Sequence, residues 1–244
     1  MSDVIRSQLA PTGKLRAAIN LGNFLLVTGK SPNGDPEGVS PDMAAEVARR
    51  IGVEVEYVPM ATPAEIADSA GKDVWDIGNI GAEPQRAKVM DFTAAYAEIQ
   101  ATYLVPAGSS IESVEDVDKP GVTIAVSARS AYDLWLENNI KHAELRRAEG
   151  LDASFDLFVK EGLDVLAGLR PRLVDDVKRL PGARVLDGQF TAVQQAIGLG
   201  KDRPEAAEFL RKFVEEAKTT GLVARLIEKH GVEGRLSVAP LAKD

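Results

Sequence analysis

Three arginines stand just beyond segments that read as buried strands: Arg86, Arg129 and Arg170. Arg86 lies in GAEPQRAKVMDFTAAY (81–96), behind the apolar run VWDIGNI (74–80). Pro84 suits the first position of a short helix, because it lacks an N–H that would be orphaned there. Arg86 then falls in the first turn, either as an ordinary solvated charge or as a cation at the mouth of a strand. Arg129 lies in SARSAYD, behind VTIAVS (122–127). Ser130 and Asp133 match a capping box, so a helix begins at Ser130. Its N-terminus would offer free N–H groups and partial positive charge to a carboxylate or phosphate, and Arg129 would add a bidentate donor. A plain cap with Arg129 in solvent accounts for the segment equally well. Arg170, before Pro171, reads as a strand-to-helix corner outside any helix, where a surface arginine serves as well as a ligand contact. A fourth strand end, NLGN (20–23), supplies the amides Asn20 and Asn23. Arginines and amides gathered at strand ends point to an anion.

The elements that must position these residues alternate. KLRAAINLG (14–22) reads as a strand, followed by an irregular Gly/Pro/Asn segment through Gly38. A helix is expected from Ser40 as N-cap with Pro41 first, carrying Met43, Val47 and Ile51 on one face and ending at Gly52. VEVEYVP (53–59) alternates as a half-buried strand, and Thr62 to Glu65 forms a capping box for a second helix. VWDIGNI completes a β-α-β-α-β series, the mark of a helix-covered parallel sheet. EIQATYLVP (98–106) is a further strand, after which the pattern restarts. VTIAVS, AELRRAEG and LDVLAGL (163–169) read as strands, separated by helices at 130–140 and within SFDLFVKEG, with RPRLVDDVKRLPG helical after them. ARVLDGQFTAVQQAIGLG (183–200) reads as two strands, and Arg203 to His230 as helix broken at Gly221. One β-α-β architecture thus occurs twice, and ligands of such sheets bind beyond the carboxyl ends of the strands.

Bulk properties narrow the function. The 244 residues carry a net charge of −8, which argues against nucleic acid or an anionic membrane surface as partner. With no cysteine there is no disulfide, thiolate metal site or thiol nucleophile, and two histidines leave little room for a metal centre. His142 and His230 read as helix-end residues, and Trp75 and Trp135 as packing residues. LGNFLLV (21–27) is too short to span a bilayer, and the start lacks the pattern of a secretory signal. No Gly-x-Ser-x-Gly elbow, P-loop or His-Glu-x-x-His motif is present.

LRAAIN, PEGVSPDMAAEVARRIGVEVEYVP, WDIGNIGAEPQRAKVMDFTAAY and ATYLVPAGS together resemble the type II periplasmic solute-binding proteins, and more narrowly family 3, the amino-acid group of ABC transporters. The resemblance runs from about residue 13 to 235. It implies an α/β fold of two lobes, each a mostly parallel sheet flanked by helices, joined by two crossover strands: lobe 1 from 1–103 plus 193–244, lobe 2 from 104–192, and the ligand between them. It implies that Arg86 binds the ligand's carboxylate with Asn79 and Gly81 beside it, and that Arg129-Ser130-Ala131 hold the same group from lobe 2. The expected ligand set is Arg86, Asn79, Gly81, Asn23, Arg129, Ser130 and Arg170, with no catalytic residue, metal or cofactor. Two departures stand out. Leu169 occupies the place where α-amino-acid binders of this family carry an aspartate for the ammonium, and Arg129 stands where they carry glycine. An unpaired buried ammonium is costly. A small anionic ligand, a dicarboxylate or other organic acid, is therefore expected first and a standard amino acid second. The implied partner is an inner-membrane permease, with the protein a periplasmic monomer if a signal has been removed, and cytoplasmic if Met1 is native. A cyclohexadienyl dehydratase-like enzyme and a ligand-sensing domain are the rival readings.

Overall fold

The computed structural model describes residues 3–242. Met1, and the outermost ends of the lobe-1 range, lie outside them. By contacts the chain divides into two compact units: the residues up to Glu98 together with those from Gln194, and Ile99–Val193. The family resemblance places these boundaries near 103 and 193.

In the first unit the strand Lys14–Asn20 runs parallel to Glu54–Met60 on one side and to Ile77–Gly81 on the other. Thr191–Gly200 then pairs antiparallel with Ile77–Gly81, Gln195 opposite Gly81 and Ile197 opposite Asn79. All five residues of Ile77–Gly81 are buried, as a central strand covered on both faces requires. One face carries Ile80 into a cluster with Ala18, Ile66, Trp75 and Met90.

The helix Val39–Ile51 begins two residues earlier than its sequence suggests. Gly38, not Ser40, is its N-cap, and the Ser40 hydroxyl donates to the Leu26 carbonyl at 3.3 Å. Segment 23–27 packs so closely here that a Cβ on Gly38, at φ 153°, would lie 2.1 Å from the Leu26 oxygen. Tertiary contact therefore displaced the local cap. Gly52 does close the helix, in the left-handed conformation. Among the short elements that the sequence patterns do not show are the helix Asp3–Leu9, the paired strands Gly29–Lys30 and Pro36–Glu37, and the strand Met90–Phe92.

In the second unit Val165–Leu169 pairs antiparallel with the Ala97–Val105 strand and parallel with Thr123–Ser127, which in turn runs parallel to Glu144–Ala148. The helices Ala131–Asn139, Leu151–Glu161 and Arg170–Val177 connect or follow these strands. Leu104, Ala125, Phe155, Phe158, Leu163, Leu166 and Leu173 form the core. Arg170, expected at a corner outside any helix, is instead the first residue of its helix, with Leu169 as N-cap. Among the described residues no helix is long and apolar enough to cross a membrane.

Ahead of the Ile77–Gly81 strand lies a fully buried carboxylate, Asp76. It accepts from the Arg16 backbone N–H at 2.9 Å and from the guanidinium at 3.1 and 2.9 Å. These bonds hold the Arg16 pKa above its usual value. Removing one partner of a buried ion pair strands the other. Asp76→Ala should therefore destabilise the protein by about 3 kcal/mol in urea unfolding, several times the effect of neutralising an exposed aspartate.

Candidate functional site

In the first unit the end of Ile77–Gly81 brings three expected residues together. Asn79 and Gly81 alternate along the strand, and Arg86 sits on the four-residue helix Pro84–Ala87 that follows. Arg86 is only 3% exposed and donates from Nη1 to the Gly81 carbonyl at 2.7 Å. It is thus no solvated helix charge; its side chain folds back onto the strand end. Asn79 is 1% exposed, and neither Oδ1 nor Nδ2 has a hydrogen-bond partner among the described residues. An unpaired buried amide is a strong donor and acceptor held in readiness. Asn23 is also buried, but its Oδ1 accepts from the Leu25 and Leu26 N–H groups, both at 3.2 Å. It shapes the turn after the first strand.

Glu83, outside the expected ligand set, lies between Gly81 and Arg86 in the chain. It is 9% exposed and is the N-cap residue of the short helix, yet its carboxylate makes no capping bond. Burial pushes its pKa up to about 7, against the opposing pull of Arg86. A Glu-Pro pair before a short helix was the available signal. It reads as an ordinary exposed cap, and the burial comes from the fold.

In the second unit Ser130 caps Ala131–Asn139, its Oγ accepting from the Asp133 N–H at 3.1 Å. The reciprocal half of the box is displaced by one residue. Asp133 Oδ2 accepts from the Arg129 N–H at 2.8 Å, and its two oxygens take Arg147 Nε at 2.9 and 3.0 Å. Burial raises the Asp133 pKa, opposed by these donors. Arg129 is exposed and adopts φ 57°, a conformation suited to the glycine it replaces in the resemblance. Arg170 is committed elsewhere. Its Nε donates to Gln100 Oε1 at 2.8 Å, and one Nη reaches the carbonyls of Leu186 and Gly188. It pins the 186–188 loop to its own unit. Leu169 is buried at the strand end with 8% exposure and offers no charge. Among the described residues no three His, Asp or Glu side chains cluster as metal ligands.

Chemically, the first-unit strand end can hold a carboxylate against a guanidinium and an amide, with a weakly acidic carboxyl alongside. The architecture is the two-lobed periplasmic binding-protein fold. An ancestral amino acid-binding protein, AncCDT-1, a precursor of cyclohexadienyl dehydratase, superposes with a TM-score of 0.73 over 94% of this chain and 99% of its own, at 24% identity. A putative ABC-transporter binding component from Wolinella succinogenes, complexed with lysine, gives 0.72 over 89% and 95% at 21% identity. The chain belongs to the bacterial extracellular solute-binding proteins, family 3, whose family model matches residues 24–233. A curated relative, the L-cystine-binding protein TcyJ of Escherichia coli K12, is 22% identical over 202 residues, 81% of this chain and 75% of its own length.

Two measurements follow from this geometry. Arg129→Gly should keep wild-type stability within about 1 kcal/mol, because glycine accepts φ 57° freely, whereas Arg129→Val should lose about 1–2 kcal/mol in urea unfolding. Glu83 binds its proton more tightly folded than unfolded, so its ionisation subtracts stability as pH rises from about 4.5 through about 7. Glu83→Gln should raise the stability by about 2 kcal/mol at pH 8 and by almost nothing at pH 4, read from denaturation midpoints at each pH.

Proposed function

We propose that this chain is the solute-binding component of an ABC importer and that it captures a small carboxylate-bearing solute. The observation that carries this reading is Arg86, buried at a strand end and bonded to Gly81, beside an Asn79 amide with no partner among the described residues. A guanidinium in that setting meets a carboxylate through two parallel bonds. Arg129 and Ser130 grip the ligand from the second unit, and the two units close about their two connections in a hinge motion. Of the remaining residues of the expected set, Asn23 shapes the turn after the first strand and Arg170 braces a loop of the second unit. The ligand is an organic acid before it is a zwitterion, because Leu169 gives an ammonium no counter-charge. The protein works in the periplasm as a monomer, delivering its ligand to a permease of the inner membrane. Family membership supports the transport role, and the amino-acid ligands in the names of similar proteins support a carboxylate.

A dehydratase-like enzyme is the second reading. It is favoured by one observation, the buried Glu83 carboxyl whose pKa is raised to about 7 beside Arg86. Aromatic product formed from prephenate or arogenate would decide for it.

Calorimetric titration of dicarboxylates against a panel of amino acids tests the leading reading. Dicarboxylates should bind, and Arg86→Lys, which keeps the charge but loses the planar fork, should weaken binding at least about tenfold. Tight amino-acid binding without acid binding would overturn the preference for an organic acid.

A further inference from the structure

We propose that Glu83 is a further recognition residue, holding a proton whenever an anion occupies Arg86, so that carboxylate capture draws one proton from solvent. The inference rests on the carboxylate reading above and concerns a residue which that reading leaves without a role.

Geometry places Glu83 at the site. Ala82 N–H donates to the Gln194 carbonyl at 2.7 Å, one residue beyond the strand, and Glu83 keeps extended dihedrals of −129° and 149°. Alternation therefore sets Asn79, Gly81 and Glu83 on one face of the segment. The other face is occupied: a Cβ on Gly78 would meet Ile66 and Trp75, and Ile80 packs into the same cluster. Asn79 and Glu83 are both at least nine-tenths buried, and neither side chain has a hydrogen-bond partner among the described residues. The unpartnered Asn79 amide and the Glu83 carboxyl, on one face of this segment, are what a polar ligand would satisfy.

Electrostatics gives the proton its place. Among the described residues Arg86 is the charged group that bears on Glu83. The neighbouring strand contributes Gln194 and Gln195, which do not titrate, and Lys88 on the next turn is exposed. In the free protein Glu83 is balanced between its forms, its pKa raised by burial to about 7. A carboxylate arriving at Arg86 offsets the guanidinium and adds a like charge, both of which disfavour ionised Glu83. The protonated carboxyl then has an O–H to donate to the ligand. By linkage, affinity is greatest below pH 7 and falls as pH rises above it, by up to about tenfold per pH unit for a single proton. An ammonium-bearing ligand lodged against Glu83 would reverse that sign.

The test is calorimetric titration with succinate, glutarate and L-malate at pH 6, 7 and 8.5, in pairs of buffers that differ in ionisation heat. For the wild type we expect affinity to drop about tenfold or more from pH 6 to 8.5, with buffer-dependent heats reporting proton uptake at pH 7 to 8. Glu83→Gln, which fixes the neutral form, should bind with a flat pH profile and buffer-independent heat. A variant with the wild-type slope, or a wild-type affinity that is flat or rises with pH, overturns the role of Glu83 while leaving the carboxylate reading intact. Failure of all three acids to bind at pH 6 overturns the preference for an organic acid, and this inference with it.

Discussion

A guanidinium buried to 3% exposure has to be answered within hydrogen-bonding reach, and Arg86 imposes that demand on the first unit. The Gly81 carbonyl supplies part of the answer. The strand end, the Pro-started turn and the chain returning along Thr191–Gly200 are thereby held in one arrangement, since Gln195 lies opposite Gly81 in the ladder. At the other end of the same strand a second buried charge, Asp76, is met by Arg16. The strand that presents the site is thus fixed at both ends by charges that cannot be left alone. Such fixing is what a binding residue needs: rigid support behind a group that must keep its geometry while a ligand comes and goes.

The second unit solves a similar problem with the opposite sign. Asp133 is the buried charge, and it gathers the Arg129 N–H and the Arg147 guanidinium around the start of a helix. That grip accounts for a non-glycine residue persisting at φ 57°. The outcome is an arginine displayed where a bare backbone would otherwise stand. Arg170 shows the contrary case. It has the residue type and the strand-end position of a ligand contact, but carbonyls of its own unit engage it.

Membership of solute-binding family 3 fixes the kind of protein, and the fold is shared with proteins described as holding amino acids. Identities of 21–24% leave the choice of ligand to the side chains of this chain. In the first unit a buried arginine, an unpartnered amide and a weakly acidic glutamate stand at one strand end, and in the second a buried leucine stands at another.

Much of this was written locally. Gly52, Gly162 and Gly221 mark helix boundaries because each adopts a left-handed conformation that glycine enters without strain. Thr62 and Ser130 cap their helices because a hydroxyl three residues before a free N–H needs no distant help. The alternation of strands and helices followed from hydrophobic periodicity, and with it the two-fold recurrence of one architecture. Contacts between residues far apart in the chain were out of reach. The sequence pattern cannot say that Leu26 would press on Gly38 and start a helix early, or that Arg16 would find Asp76 sixty residues away. Nor does it say that Glu83, an ordinary cap by position, would be buried next to Arg86. The amino-acid order determined which groups stand at the strand ends, because periodicity and caps act over a few residues. Only the tertiary structure decided which of those groups are buried, which are satisfied and which remain open to a ligand, because desolvation and pairing depend on every element packed around them.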